Sequence, residues 1–153
     1  MELARPATEA DRAVMASLLR GALDEARRQR GGALLAGTTS PNDLMAEWTS
    51  RGAPVARFVG LFDQAVVGLG VVSAFARPGA SKRSGRIECC YVEGAARGVG
   101  VGSALMEAMV RWCRDLGCGD IDALALPGDR SSKQRLEAAG FTARLLTLNR
   151  RLD

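Results

Sequence analysis

The apolar positions of the chain follow helical spacing most clearly in residues 99–116. Apolar side chains recur there every three or four residues and form one stripe of an amphipathic helix: Val101, Leu105, Ala108, Trp112 and Leu116. Gly117 ends that predicted helix. Three further helices are predicted, at residues 8–28, 40–52 and 129–139. Ser40 followed by Pro41 gives the second of these a strong N-terminal start.

Strand spacing covers much of the remaining chain. Apolar runs bounded by turn-forming residues predict five strands, at residues 2–5, 55–62, 65–75, 86–92 and 121–126. Asp63 and Gln64 form the turn between the second and the third. The glycine-rich residues 31–39 are predicted as a flexible loop, and residues 141–152 as extended chain in one or two strands. This order predicts a mixed α/β (α+β) fold in one domain over residues 1–153.

Composition narrows the possible classes of function. The chain has 153 residues, of which 47% are hydrophobic and 25% charged, as in an ordinary globular protein. Its longest apolar run, residues 65–72, is too short to span a membrane, and residues 1–6 do not form a signal peptide. We therefore expect a cytoplasmic protein. The net charge of +4 comes with only 5% aromatic residues, which argues against nucleic acid as a partner.

The lack of histidine and the spacing of the cysteines exclude further types of catalytic and metal site. The chain contains no histidine, which excludes Ser-His-Asp and Cys-His catalysis. Its four cysteines show no C-x-x-C spacing, so we expect no metal site. We interpret them as reduced, mostly buried thiols.

The most informative segment is glycine-rich and opens the longest predicted helix. It follows a predicted strand, and Gly98, Gly100 and Gly102 leave the backbone open to a ligand because they carry no Cβ. The first amides of the helix have no intrahelical acceptors and lie at the positive end of the helix dipole. The segment therefore predicts a site for a phosphate or diphosphate group.

Two other phosphate-binding motifs fit this segment poorly. A P-loop requires a lysine after the glycines, and none follows. A Rossmann site requires G-x-G-x-x-G in the first strand–helix unit, with an acidic residue about 20 residues further on. In this chain Asp115 or Asp120 could provide the acidic residue. Here the pattern is G-x-G-x-G, and it comes in the third quarter of the chain. Glycines that serve only close packing of a helix on a strand are the structural alternative.

Residues 97–102 resemble the R/Q-x-x-G-x-G/A motif of the GNAT superfamily of acyl-CoA N-acyltransferases. Residues 91–94 resemble the V-x-P segment that precedes it, with Gly94 in place of the proline. Residues 136–141 resemble the family's last helix, which ends in Y-E-x-x-G-F, and residues 5–11 its first strand and helix start. The resemblance covers nearly the whole chain.

The resemblance implies a mostly antiparallel, splayed central sheet flanked by helices, with strands 86–92 and 121–126 parting like a V. It implies acetyl-CoA as the cofactor, with pantetheine against the backbone of residues 90–92 and the diphosphate at residues 98–103. The cofactor-binding residues expected on this basis are Cys90, Tyr91, Val92, Arg97, Gly98, Val99, Gly100, Val101, Gly102, Ser103, Asp129, Ser132 and Lys133. For Asp129 the alternative is a role as helix cap only. For Lys133, expected at the 3′-phosphate, the alternative is a solvated helix face.

The resemblance places the general base on the strand before the glycine-rich segment, where Glu88 is the candidate. Glu88 lies four residues before Val92, so in a regular strand it would share a face with Cys90 and Val92, opposite Tyr91. The alternative is a structural ion pair between Glu88 and an arginine such as Arg86 or Arg144.

The residue that would protonate the leaving thiolate is less clearly marked. The family often uses a tyrosine in the last helix, and Leu136 occupies that position. Water or the hydroxyl of Ser131 or Ser132 would take over this role, or the thiolate leaves without a dedicated acid.

The implied function is an N-acetyltransferase that moves the acetyl group of acetyl-CoA directly to a primary amine. We expect a small-molecule amine or a peptide N-terminus as the acceptor. We expect no membrane partner, and the sequence leaves open whether the protein forms a homodimer. The loop at residues 28–40 and the C-terminal strand region would select the acceptor, and they offer few acidic residues to a polycation. The alternatives are a non-catalytic acyl-CoA-binding or regulatory domain of the same fold, and a nucleotide-binding module.

Overall fold

One central sheet organises the chain, and helices cover both of its faces. The structure is a computed structural model that describes residues 3–152. The helices are α1 (Arg12–Arg28), α2 (Gly32–Ala36), α3 (Pro41–Ser50), α4 (Val101–Asp115) and α5 (Arg130–Ala138). The strands are β1 (Ala4–Pro6), β2 (Val55–Phe62), β3 (Ala65–Ala76), β4 (Arg83–Val92) and β5 (Asp120–Asp122). Short 3₁₀ turns occupy Glu9–Asp11 and Gly94–Ala96.

The sheet has the order β1-β2-β3-β4-β5. Its first four strands pair antiparallel with their neighbours, and β5 is parallel to β4. The parallel pairing joins residues 84–86 to residues 120–122 and goes no further, so the two strands part beyond that point. The prediction of a mixed, mostly antiparallel and splayed sheet flanked by helices is confirmed.

Local capping explains where the 3₁₀ turn that leads into α1 begins, and where α3 begins. Asp11 accepts hydrogen bonds from the Thr8 amide at 2.7 Å and from both terminal nitrogens of Arg5 at 2.7 and 2.9 Å. The Arg5 hydrogen bond holds the pKa of this buried carboxyl well below its usual range. The Ser40 side chain accepts from the backbone N–H of Asp43, and so caps α3 as predicted.

Two apolar clusters lie on opposite faces of the sheet. The cluster under α4 contains Val72, Ile87, Val92, Leu105, Met106 and Met109 among others. The cluster under α1 and α3 contains Leu18, Leu19, Trp48, Val59, Leu69 and Val71 among others. Each core strand therefore contributes side chains to both faces in alternation.

Glycines in the sheet let the start of α4 approach the strands closely. A Cβ on Gly60 would collide with the Val101 side chain, and one on Gly68 would lie 3.0 Å from Leu105. This close packing holds the N-terminal turn of α4 directly behind the end of β4.

Three sequence predictions differ from the structure. Residues 32–36, predicted within a loop, form the short helix α2, because Gly31 turns the chain at a φ of +81° ahead of four good helix formers. The predicted strand at residues 121–126 is limited to Asp120–Asp122, because the chain leaves β4 there. Residues 141–152 pair with no strand in the described part of the chain.

The remaining bounds agree closely with the predictions. The Asp63-Gln64 turn has φ values of +48° and +67°, as a two-residue hairpin requires. Residue 2 of the first predicted strand lies outside the described residues. Within residues 3–152, no helix combines the length and the apolar character that crossing a membrane would require.

Candidate functional site

The point where β4 and β5 separate opens into a cleft. Within residues 3–152, no strand pairs with residues 87–92 of β4 on the β5 side. A cavity of about 420 Å³ opens there, between α1 and α3 on one side and the start of α5 on the other. The predicted site residues that line it are Glu88, Cys90, Tyr91, Val92, Arg97, Asp129 and Ser132.

A β-bulge at Glu88 changes the predicted orientation of the candidate base. Val71 pairs with Cys89 and Val72 pairs with Ile87, so Glu88 has no residue opposite it on β3. The extra residue reverses the alternation of side chains along β4.

The prediction that Glu88 shares a face with Cys90 and Val92 is therefore wrong. Cys90 and Val92 pack with the cluster under α4, as Ile87 does, although Ile87 is odd-numbered. The Glu88 carboxylate is directed to the opposite face, towards α3. The related prediction that Tyr91 lies across the strand from Glu88 is also wrong, since Tyr91 packs with the cluster under α1 and α3.

The carboxylate of Glu88 is held through one of its two oxygens. Oε1 accepts hydrogen bonds from Ser73 Oγ and from Arg51, each at 2.7 Å. Arg51 also binds Glu47 at 2.7 Å, and the pKa of Arg51 is raised, first by that Glu47 bond. Oε2 of Glu88 accepts no hydrogen bond from the described residues. In the described residues, every buried polar side-chain atom has a hydrogen-bond partner. Because Oε2 has none, it must be accessible to solvent. This oxygen is therefore available in the cleft.

The partner of Glu88 also differs from the alternative named for it. The ion pair is made by Arg51, directly after α3, and not by Arg86 or Arg144. Arg144 instead binds Asp122 on β5 at 2.6 Å, and that bond, with Arg77 on the other side, lowers the pKa of Asp122 to about 2.

Arg97 ties the turn after β4 to two neighbouring elements. Its guanidinium makes a bidentate pair with Glu25 of α1 at 2.9 and 2.8 Å, and its Nε donates to the Val92 carbonyl at 2.8 Å. The guanidinium also lies 5.6 Å from the centre of the Tyr91 ring. These bonds hold the glycine-rich turn against α1, and they engage the Val92 carbonyl, which belongs to the backbone expected to receive pantetheine.

The glycine-rich segment itself forms an open turn at the start of α4. Gly98 and Gly100 have φ values of +86° and +91°, a region that favours glycine. Gly100 is the N-cap residue, followed by the buried Val101 and by Gly102 and Ser103 in the first turn. Val99 is exposed. Residues 98–103 do not line the cavity themselves, but the glycines leave the first amides of α4 without side chains of their own at three positions.

Polar residues at the start of α5 form the far wall. The Asp129 carboxylate caps the helix by accepting from the Ser132 amide at 3.1 Å. Burial raises the pKa of Asp129, but the hydrogen bonds from Ser132 and Ser131 outweigh it, and the pKa is lowered overall. Lys133 is exposed on this helix and does not line the cleft.

Two arginines in the cleft were not among the predicted site residues. Arg51 arrives from α3, far away in sequence, and no local pattern indicates its approach to Glu88. Arg135 lies one helical turn after Ser132, so helical spacing alone could have placed it on the same face of α5.

The two cysteines of the cleft are not activated. Burial raises the pKa of Cys89 to about 12, and it also raises the pKa of Cys90 although Arg135 opposes it. Both thiols stay protonated near neutral pH and are therefore weak nucleophiles.

Comparison with known proteins identifies the family of this arrangement. The sequence model of the Acetyltransferase (GNAT) family matches residues 19–141, which is most of the chain. No curated protein matches the chain.

Solved structures of similar fold include several acetyltransferases. An acetyltransferase from Trypanosoma brucei is 23% identical, with a TM-score of 0.71 over 97% of this chain and 98% of that one. A ribosomal-protein-alanine N-acetyltransferase from Brucella melitensis is 17% identical, with a TM-score of 0.71 over 98% of both chains. An aminoglycoside 6′-N-acetyltransferase from Acinetobacter haemolyticus is 16% identical, with a TM-score of 0.67 over 98% of this chain and 99% of that one. At these identities the likeness concerns the fold.

Proposed function

The chain belongs to the GNAT family of acetyltransferases, and from this premise we propose that it transfers the acetyl group of acetyl-CoA directly to a primary amine. The observation that carries the proposal is the cleft between β4 and β5, which combines an open strand edge, a helix N-terminus and an available carboxylate oxygen. The acceptor we propose is a small molecule with one amine, or a peptide N-terminus.

The geometry of the cleft fits acetyl-CoA. A narrow pantetheine arm needs an unpaired strand edge for its amides, and residues 87–92 of β4 provide one. A diphosphate needs backbone amides without side chains beside them, and a Cβ at Gly98 would meet no atom within 4 Å. Acetyl-CoA would supply the acetyl thioester, and the protein's residues would supply binding, orientation and proton transfer.

Glu88 is suited to accept the proton of the attacking amine. An amine is mostly protonated near neutral pH, so a base must remove a proton before or during attack. Arg51 and Ser73 fix Glu88 through Oε1, which leaves Oε2 to accept that proton directly or through water. In this proposal the ion pair with Arg51 positions the base. Glu88 can therefore be both the general base and a member of an ion pair, the two interpretations considered for it.

Direct transfer agrees with the state of the thiols. A covalent acyl-enzyme would need a nucleophile, and the raised pKa values of Cys89 and Cys90 argue against either cysteine. The family often uses a tyrosine hydroxyl to protonate the leaving thiolate, but this chain has Leu136 at that position. Ser131 and Ser132 line the cleft, and their hydroxyl groups can donate the proton instead.

The acceptor side of the cleft favours a single amine on an apolar body. Its wall is mostly apolar and comes from α1, α2 and α3: Leu19, Leu23, Ala36, Leu44 and Trp48. Three carboxylates also line it, and each is already engaged: Glu25 by Arg97, Glu88 by Arg51, and Asp129 as the cap of α5. The acceptor side therefore holds no cluster of unengaged carboxylates of the kind that would favour a polycation over a single amine.

A second candidate is a non-catalytic acyl-CoA-binding or regulatory domain of the same fold. Leu136 favours it, since the hydroxyl that the family often uses at this position is missing. An assay for transfer, and not for binding alone, separates the two candidates.

The experiment for the cofactor site is calorimetry with CoA on the protein and on Gly100→Val. A valine at φ +91° is strained, and its side chain crowds the first amides of α4. We expect CoA affinity to fall at least tenfold, or about 1.4 kcal/mol. Gly79→Val is the matched control, because Gly79 also has a positive φ, +77°, but lies in an open loop away from the cleft. Unchanged CoA affinity in Gly100→Val would remove the diphosphate from this site.

A further inference from the structure

The guanidinium of Arg135 lies against the first turn of α4. A Cβ built on Gly102 would lie 3.0 Å from Arg135 Cζ, 3.1 Å from Nε and 3.2 Å from Nη1. The absence of a side chain at Gly102 therefore makes room for the guanidinium. On its other side, Arg135 lies near enough to Cys90 to influence that thiol. It thus lies between the start of α4 and the unpaired edge of β4.

The charge of Arg135 is not matched within the protein. Among residues 3–152, no carboxylate oxygen comes within 4 Å of its guanidinium, whereas in the same cleft Arg51 pairs with Glu47 and Glu88, and Arg97 pairs with Glu25. Asp129 acts on it only through space. The neighbouring helix end also carries positive potential, from the amides of the first turn. Two positive features side by side are favourable only when an anion binds between them.

We infer that Arg135 and the first turn of α4 bind one anion together, the diphosphate of CoA. This inference rests on the proposed function, because it assumes that CoA enters the cleft. The planar guanidinium can donate two parallel hydrogen bonds to phosphate oxygens, and the helix amides donate from the opposite side. Gly102 allows both donors to reach the same group.

The arrangement favours the diphosphate over the other charged parts of the cofactor. The guanidinium contacts Gly102, which is the second residue of α4, where the helix amides are concentrated. Arg135 would therefore distinguish full CoA thioesters from thioesters of pantetheine alone.

The test compares three probes on the protein and on Arg135→Gln. CoA and dephospho-CoA are titrated by calorimetry, and pantetheine by chemical-shift changes. We expect Arg135→Gln to weaken CoA and dephospho-CoA by the same factor, about tenfold, because both contain the diphosphate, and to leave pantetheine binding unchanged. Arg114→Gln removes the same charge at an exposed position near the end of α4, and should change none of the three affinities.

Other outcomes contradict the inference in distinct ways. Weakened CoA with unchanged dephospho-CoA would assign Arg135 to the 3′-phosphate. Equal weakening of pantetheine would mean that Arg135 only shapes the cleft. Absence of CoA binding in the unmodified protein would instead defeat the proposed function, and this inference with it. Arg135→Lys keeps the charge without the planar fork and should show intermediate CoA affinity, and melting temperatures confirm that each variant is folded.

Discussion

Replacing Glu88 by glutamine separates its two roles, because the amide keeps the shape of the side chain and loses its basicity. In the structure Oε1 accepts from Ser73 and Arg51, and the amide oxygen of glutamine can accept the same two bonds. Oε2, the oxygen assigned to proton transfer, becomes an NH2 group. We expect kcat to fall by ~10²- to 10⁴-fold, which corresponds to about 3–5 kcal/mol of barrier.

The cost in stability should be small by comparison. Glu88 loses its charge beside Arg51, but Arg51 is 35% exposed and retains Glu47. A partly screened pair of this kind contributes about 1 kcal/mol, or roughly 2–4 °C in Tm for a chain of this length. CoA affinity should change little, because the hydrogen bonds of Glu88 go to Ser73 and Arg51 and not to the glycine-rich turn.

The assay measures kcat, Tm and the CoA dissociation constant on the same samples. Glu47→Gln is the matched control, since it removes the other carboxylate from Arg51 on the exposed side, also at 2.7 Å. It should lower Tm by a similar or smaller amount and leave kcat unchanged. Turnover at the normal rate in Glu88→Gln, with a lowered Tm, would refute the base assignment and leave Glu88 as a structural partner of Arg51.

Two further predictions concern the leaving group and the acid stability of the fold. Leu136→Tyr should raise kcat with little change in CoA affinity, because it supplies a hydroxyl where the family often has one; unchanged kcat would show that water or a serine suffices. Asp11→Asn should cost about 2 kcal/mol at pH 7, through weaker bonds to Arg5 and Thr8. The pKa of Asp11 is depressed in the folded state, so its contribution is complete above about pH 4 and is lost as the pH falls further. Thermal unfolding should show a constant stability difference between the protein and Asp11→Asn from pH 7 down to about pH 4, and a difference that narrows as the pH falls further. A difference that stays constant below about pH 4 would contradict this reasoning.

Much of the fold could be predicted from local signals. The Ser40 cap of α3 and the Asp63-Gln64 turn each depend on a few neighbouring residues, and the structure contains both. The apolar stripe of α4 is confirmed in part: Val101 and Leu105 are buried, but Leu116 is exposed beyond the end of the helix. The early end of β5 could not be predicted, because it depends on where the chain leaves the edge of β4, after the pairing with residues 84–86, and no local residue pattern marks that point.

The site was predicted less completely than the fold. The bulge at Glu88 results from the register between β3 and β4, and nothing in the flanking residues marks an extra position. Strict alternation therefore placed Glu88 on the wrong face. Arg51 reaches Glu88 through the packing of α3, a long-range contact that periodicity does not report.

The central claim, acetyl transfer to an amine, is tested most directly by mass spectrometry with isotope-labelled acetyl-CoA. The protein is incubated with the labelled cofactor and a panel of single amines, peptides with free N-termini, and polyamines. The account predicts that the label appears as an N-acetyl group on amines with an apolar body or on peptide N-termini, in amounts equal to the CoA released. CoA binding without label on any acceptor would contradict it and would identify the chain as a non-catalytic acyl-CoA-binding domain.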